Sequence, residues 1–115
     1  MKILYALTSA FLFSVSGFSQ NYQFTHLEVN QWSDANGTMI GRAYIKNTSN
    51  SSIYIKVRRY EQTVIQGAVN YFCWDACYSP TTDISVNGLN AAPGDTLTNF
   101  YADFEPNGGT GTSVI

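Results

Sequence analysis

The sequence predicts an all-β protein with the antiparallel, two-sheet architecture of an immunoglobulin-like β-sandwich. Short runs rich in β-branched and aromatic residues recur along the chain, and clusters of Gly, Pro, Asn and Ser separate them. After residue 19, no segment has the apolar period of an amphipathic helix. The length of 115 residues suits one domain of this kind.

The N-terminus has the features of a signal peptide. Lys2 precedes the apolar run ILYALTSAFLFSV, and the small residues Gly17 and Ser19 form a small-x-small cleavage pattern. The run is shorter than the about 20 apolar residues that span a bilayer. We therefore expect residues 1–19 to be removed, residues 20–115 to form the domain, and the protein to be secreted or displayed at the cell surface.

The charge balance argues against nucleic acid or anionic lipid as a partner. Without Lys2, the domain has five basic and eight acidic residues and a net charge of −3. Such a surface has no electrostatic reason to bind polyanions. Charged residues make up 12% of the chain, which is low, and neutral polar residues are typical of extracellular β proteins.

Three strands are predicted in the first half of the domain, at 22–29, 39–47 and 52–60. The first two are separated by a segment that contains Asn36-Gly37, a pair that favours a tight turn. The third alternates strictly, which predicts one face on the core and one in solvent. Its core face is Ile53, Ile55 and Val57, and its solvent face is Tyr54, Lys56 and Arg58.

Two more strands, 83–89 and 95–106, flank a turn predicted at Pro93-Gly94. Residues 110–115 follow a glycine turn and are rich in β-branched residues, so we interpret them as the start of a further strand. We therefore expect the sandwich to lack its last strand or strands and the chain to be a fragment. In 95–106, one face has Phe100, Ala102 and Phe104, and the other has Tyr101, Asp103 and Glu105.

Both cysteines lie in the segment NYFCWDACYSP, residues 70–80. Within one continuous strand, Cys73 and Cys77 would be about 13 Å apart, whereas a disulfide needs Cα atoms within roughly 7 Å. Because an exported cysteine pair is normally bonded, we expect a disulfide, in a turn or single helical loop that leaves the sheet. Its task would be to fix the loop.

Other uses of the two cysteines lack the necessary partners. A structural zinc needs four ligands, and beyond the two thiolates the domain has only the distant His26 and a carboxylate such as Asp75 or Asp83. A thioredoxin-like centre has two intervening residues, whereas this pair has three. We expect neither a metal nor a cofactor.

Two interpretations of Trp74 and Tyr78 remain open. Trp74 packs beneath the loop as a lid on the sandwich, as large aromatic residues usually do. Alternatively, Trp74 and Tyr78 are exposed on the rigid loop and are candidate ligand contacts for a sugar or a protein.

No catalytic residue is predicted. The single histidine of the chain, His26, lies on a strand, and both cysteines are expected to be oxidised. Asp103 and Glu105 share a strand face about 7 Å apart, and we interpret them as solvated rather than as a catalytic pair. Four aspartates resemble calcium ligands, but no calcium-loop motif contains them: Asp34, Asp83, Asp95 and Asp103.

Several segments together resemble a known family. The leader ending in FSQ, the segments KNTSNSSIYIKVRR and FCWDACYSP, and AAPGDTLTNFYADFEPNGGTGTSVI are similar to the N-terminal domain of small secreted Bacteroidetes proteins that carry a type IX secretion sorting domain. The resemblance covers nearly all of the domain. It implies an immunoglobulin-like module, export, and contact with the secretion machinery if a sorting domain follows, but it implies no reaction.

Two functions are compatible with these features. The first is a non-enzymatic extracellular module for adhesion, spacing or ligand contact, with an extracellular protein or glycan as its partner. The second is an accessory carbohydrate-binding module that uses Trp74, Tyr78 and neighbouring aromatic residues as stacking platforms.

Overall fold

The structure is a computed structural model that describes residues 20–115; the predicted signal peptide, residues 1–19, lies outside the described residues. Within 20–115, no helix is long and apolar enough to cross a membrane. The described chain forms seven strands: β1 Tyr22–Leu27, β2 Met39–Asn47, β3 Ile53–Ile55, β4 Val69–Trp74, β5 Ala76–Cys77, β6 Leu89–Ala91 and β7 Thr96–Glu105.

The strands form two antiparallel sheets. The large sheet has the order β1-β2-β7-β4-β5, and the small sheet consists of β3 and β6. The chain therefore crosses between the sheets after β2, after β3, after β5 and after β6, as a sandwich requires. The predicted all-β, immunoglobulin-like antiparallel β-sandwich is confirmed.

The core lies between the small sheet and the middle of the large sheet. Phe72 and Trp74 point inward from β4, since alternate residues of a strand share a face, and Ile45 of β2 joins them. Ile55 and Leu89 pack on these residues from the small sheet. Burying these large side chains is the main apolar contribution to folding.

Two buried polar side chains also join the sheets. The Trp74 Nε1–H donates to the carbonyl oxygen of Ile55 at 3.0 Å. Asn47, at 0% exposure, donates through Nδ2 to the carbonyls of Ala91 and Ser51, at 2.9 and 2.8 Å. Its Oδ1 accepts from the backbone N–H and hydroxyl of Ser49. Because its amide group is fully hydrogen-bonded, Asn47 is buried without an unpaired polar atom.

The predicted strand boundaries agree best with the structure for the strands that have long hydrogen-bonded ladders. The strand at 39–47 is confirmed, and those at 22–29 and 95–106 are longer than β1 and β7 by a few residues. The strand at 52–60 is too long, because the Val57 N–H bonds to the Ser85 hydroxyl and the ladder is interrupted there. Its two faces are confirmed, since Ile53, Ile55 and Val57 are half-buried and Tyr54, Lys56 and Arg58 are exposed.

Three strand predictions are corrected by the structure. The strand predicted at 83–89 is not formed over that range. Ile84 makes an isolated bridge to Arg58, and β6 begins at Leu89. Residues 110–115 form no strand, and Val114 makes an isolated bridge to Thr63. No strand is predicted at 70–80, whereas this segment contains most of β4. The predicted turn is confirmed at Pro93-Gly94, where Gly94 adopts a φ of 84°.

We expect the two faces of β3 and the residues after it to differ in their contribution to stability. Ile55→Ala removes a side chain that packs on the core and should lower the free energy of unfolding by about 2–4 kcal/mol. Lys56→Ala changes an exposed side chain and should cost less than about 0.5 kcal/mol. Urea unfolding of both variants measures the difference, and equal small costs would show that this register is wrong.

Candidate functional site

The Cys73–Cys77 disulfide is confirmed, and it lies within a hairpin. The two cysteines are direct antiparallel partners on β4 and β5, with Cα atoms 4.0 Å apart. The chain reverses at Asp75, whose φ of 66° is a conformation that aspartate tolerates. The expected departure from the sheet is therefore wrong: the segment turns but stays in the sheet as β5.

Trp74 is 1% exposed and its side chain lies in the core. Of the two interpretations of this residue, packing is correct. Tyr78 is half-buried, and its ring packs on Phe72 with ring centroids 5.2 Å apart. The hairpin thus positions core aromatic residues, and Tyr78 as a ligand contact remains a prediction.

A row of exposed apolar side chains lies on β1 and the segment after it. We call these residues the apolar strip. Trp32 is the most exposed of them, at 87%, and the rings of Tyr22 and Phe24 make an edge-to-face contact at 6.0 Å. The strip consists of Tyr22, Phe24, Leu27, Val29 and Trp32.

The β1 part of the strip lies on the core side of the large sheet. Phe24 is the cross-strand partner of buried Ile45, and Leu27 is the partner of buried Ala43. Cross-strand partners project from the same face of a sheet. Because the small sheet packs on β2, β7 and β4, it leaves this end of the core face uncovered.

A groove of about 520 Å³ continues the strip. Val29 and Trp32 line it. Met39 and Phe104, which are neighbours on β2 and β7, and Ile65 also line it. The groove therefore joins apolar side chains to the polar groups of the loops around them.

Strand β1 also presents backbone groups for pairing. In the described chain, β1 pairs with β2 on one side and is the edge of the large sheet on the other. Its six residues, YQFTHL, include no Lys, Arg, Asp, Glu or Pro, although these residues commonly protect exposed edges. One bulge, between Phe24 and His26, interrupts its register. This edge is suited to accept another strand.

A second groove, of about 460 Å³, lies beside Arg59, and the hydrogen bonds of this residue stabilise the fold. The guanidinium bonds to Asp83 Oδ1 through Nε and Nη2, to Asn70 through Nη1 and to the Pro80 carbonyl through Nη2. All its nitrogens are thus engaged, and its side chain is 7% exposed. The network fixes the loop before β6 to the start of β4.

His26 and the aspartates considered for calcium binding are not brought together. His26 Nε2 lies 3.3 Å from Glu28 Oε1, and its ring contacts Tyr44. Asp83 bonds to Arg59, and Asp95 accepts a hydrogen bond from the Ala92 N–H. Among residues 20–115, no three His, Cys, Asp or Glu side chains cluster as a metal site would require.

Asp103 is more enclosed than a typical strand residue in solvent, although among residues 20–115 no buried side-chain oxygen lacks a hydrogen-bond partner. Asp103 lies on the central strand β7, faces away from the core, and is only 7% exposed. Burial, and then the negative charge of Glu105, raises its pKa above the ordinary 3.8, while Arg42 acts in the opposite direction. The charge of Asp103 in turn raises the pKa of Tyr71.

The geometry defines the class of this protein as an all-β sandwich with an open sheet edge. Comparisons with known proteins add no family: no family model matches the chain, and no curated protein or solved structure matches it.

The exposure of the apolar strip is not evident from the sequence. The alternation of aromatic residues in 22–27 predicts a strand with an apolar face, and an apolar face is normally assigned to the core. Its exposure depends on how far the second sheet extends, which the local pattern does not contain. The sequence feature that indicates an exposed, unprotected edge is the run of six β1 residues without a fixed charge.

We expect Asp103→Asn to stabilise the fold at neutral pH. The pKa of Asp103 is higher in the folded than in the unfolded protein, so the ionised carboxylate lowers the free energy of unfolding. This destabilisation is complete above the folded-state pKa and disappears as the pH falls toward 3.8. The variant should therefore exceed the wild type in free energy of unfolding at neutral pH and match it below pH 3.8. Urea unfolding across this range measures the difference. Asp34→Asn, at an exposed position, is the matched control, and an equal response of both variants would contradict the assignment.

Proposed function

We propose that this protein is a non-enzymatic extracellular module that binds a partner protein by accepting an extended strand at the edge of β1. The observation that carries this proposal is the combination of an uncharged edge, unpaired within residues 20–115, with the apolar strip on its core side. An added strand would gain backbone hydrogen bonds from the edge. Its alternate side chains would cover Phe24 and Leu27.

The chemistry of the edge specifies the partner segment. Because β1 has no fixed charge, a strand with alternating apolar and neutral polar residues fits it best. The groove beside Val29 and Trp32 provides a recess for one further apolar side chain. A second copy of β1 itself would also fulfil these requirements, and the experiment below distinguishes this case.

We also propose that the module is exported. The signal-like sequence of residues 1–19 supports this proposal, as does the disulfide, because such bonds persist in oxidising compartments. The resemblance to secreted Bacteroidetes proteins with a type IX sorting domain supports the same route.

Selection of displayed peptides on the immobilised protein tests strand addition. We expect enriched peptides to alternate apolar and polar residues, and to lose at least about tenfold in affinity for Phe24→Lys, which places a charge on the strip. Val86→Lys introduces the same charge at another exposed apolar position and should bind as the wild type does.

Three outcomes would contradict the proposal. They are no enrichment, peptides without alternation, and peptides that bind Phe24→Lys as tightly as the wild type. A concentration-dependent dimer that Phe24→Lys abolishes would identify a second copy, rather than a different protein, as the strand donor. Light scattering measures this dimer.

Sugar binding by exposed aromatic residues is the second candidate function. Trp74 is unsuited to it because it is buried, whereas Trp32 presents its indole beside the groove. A flat exposed indole suits stacking on a sugar ring. A glycan array with the wild type and Trp32→Ala tests this candidate: binding should disappear in the variant, and an array without a bound glycan would reject it.

A further inference from the structure

Exposed aromatic and cationic side chains share the outer face of β3 and of the residues that follow it. Tyr54, Lys56, Arg58 and Tyr60 project from this face, and the residues between them are half-buried. The two tyrosines are 60% and 65% exposed. Ile84, the bridge partner of Arg58, adds an exposed apolar side chain. The face therefore combines two cations with accessible rings.

Tyr60 holds the guanidinium of Arg58 in place. The Arg58 Nη1–H donates to the Tyr60 hydroxyl at 3.1 Å, and Cζ lies 5.7 Å from the centre of the same ring. Among residues 20–115, no carboxylate lies within ion-pair distance of Arg58, because Glu61 and Asp83 pair with Arg59 instead. The Nε–Nη2 side of Arg58 therefore has the donors for one bidentate carboxylate.

The second groove, of about 460 Å³, borders this guanidinium. Arg58 and Tyr60 line it together with Glu61 and Asp83. The two acidic side chains bond to the protein through one oxygen each, Glu61 through Oε1 and Asp83 through Oδ1. They are 43% and 64% exposed, so their second oxygens can accept hydrogen bonds from a ligand. The groove thus offers donors for one carboxylate and acceptors for hydroxyl groups.

A uronic acid residue of a glycan has the chemistry that fits these groups. Its carboxylate matches the fork of Arg58, and its ring can stack on Tyr60. Its hydroxyls can donate to Glu61 and Asp83. An acidic side chain of a peptide would match the fork as well, but it brings neither a ring for the tyrosine nor hydroxyls for the two acceptors.

We infer that the outer face of the small sheet binds an acidic glycan, with one uronic acid residue on Arg58 and Tyr60 in this groove. Lys56 lies two residues before Arg58, about 7 Å away along the chain, and provides a cation for a further uronic acid. Because the domain as a whole is negatively charged, these cations attract an acid group only at short range. The site is separate from the apolar strip, so either can exist without the other.

An NMR titration of the full protein with trigalacturonate tests the site. We expect amide shifts confined to the residues around Arg58, Tyr60 and Ile84 at millimolar sugar, and added salt should weaken the binding. The methyl ester of the same trisaccharide keeps the rings without the charges and should bind at least about tenfold more weakly. Equal binding of the ester, shifts elsewhere on the protein, or no shifts would overturn the inference.

Variants separate this face from the other candidate sugar site. Arg58→Gln removes the cation at an exposed position and should weaken trigalacturonate binding at least about tenfold. Lys46→Gln removes an exposed cation from β2 of the large sheet and should leave binding unchanged, as should Trp32→Ala. Unchanged binding in Arg58→Gln, with its fold verified by the amide spectrum, would reject the assignment. Loss of binding in Trp32→Ala alone would move the sugar to the groove beside that indole.

A short acidic peptide distinguishes a glycan from a protein as the source of the carboxylate. The probe is an acetylated and amidated tripeptide of glutamate, serine and glutamate, which has acid groups but no sugar ring. Weaker binding of this peptide than of trigalacturonate supports the inference. Tighter binding of the peptide would overturn it, since the face would then recognise acidic protein segments.

Discussion

The Trp74 indole holds the small sheet against the large sheet. Its ring fills the core beneath β3 and β6, and its Nε1–H bonds to the Ile55 carbonyl across the core. Asn47 makes the equivalent link to Ala91 at the other strand of the small sheet. Because the two strands of the small sheet have three residues each, these two hydrogen bonds determine its position on the large sheet.

The position of the small sheet explains the exposed surfaces. It packs over β2, β7 and β4 and leaves β1, at the edge of the large sheet, with its apolar face in solvent. The disulfide contributes by holding β5 against β4 beside Trp74, rather than by presenting that residue. The open edge and the buried core thus have a common origin in a second sheet much smaller than the first.

Local patterns predicted the parts of the fold that local physics determines. The period of two assigned the opposite faces of Ile55 and Lys56 correctly, and the short spacing of Cys73 and Cys77 required a chain reversal. Burial of Asp103 depends on partners about 30 residues or more away in the chain, which no local pattern specifies. The same holds for the exposure of Phe24, since it reflects the limited extent of another sheet.

Native-state hydrogen exchange on the dilute protein tests whether the sandwich core stops short of β1. We expect amides of β7 and β2 to exchange slowest, because they lie within the sheet and on the core. Amides of β1 that point to the free edge should exchange almost as fast as those of an unfolded chain. Protection of all β1 amides to the level of β7 would show that the core does extend to β1, because it would require another segment to cover that edge.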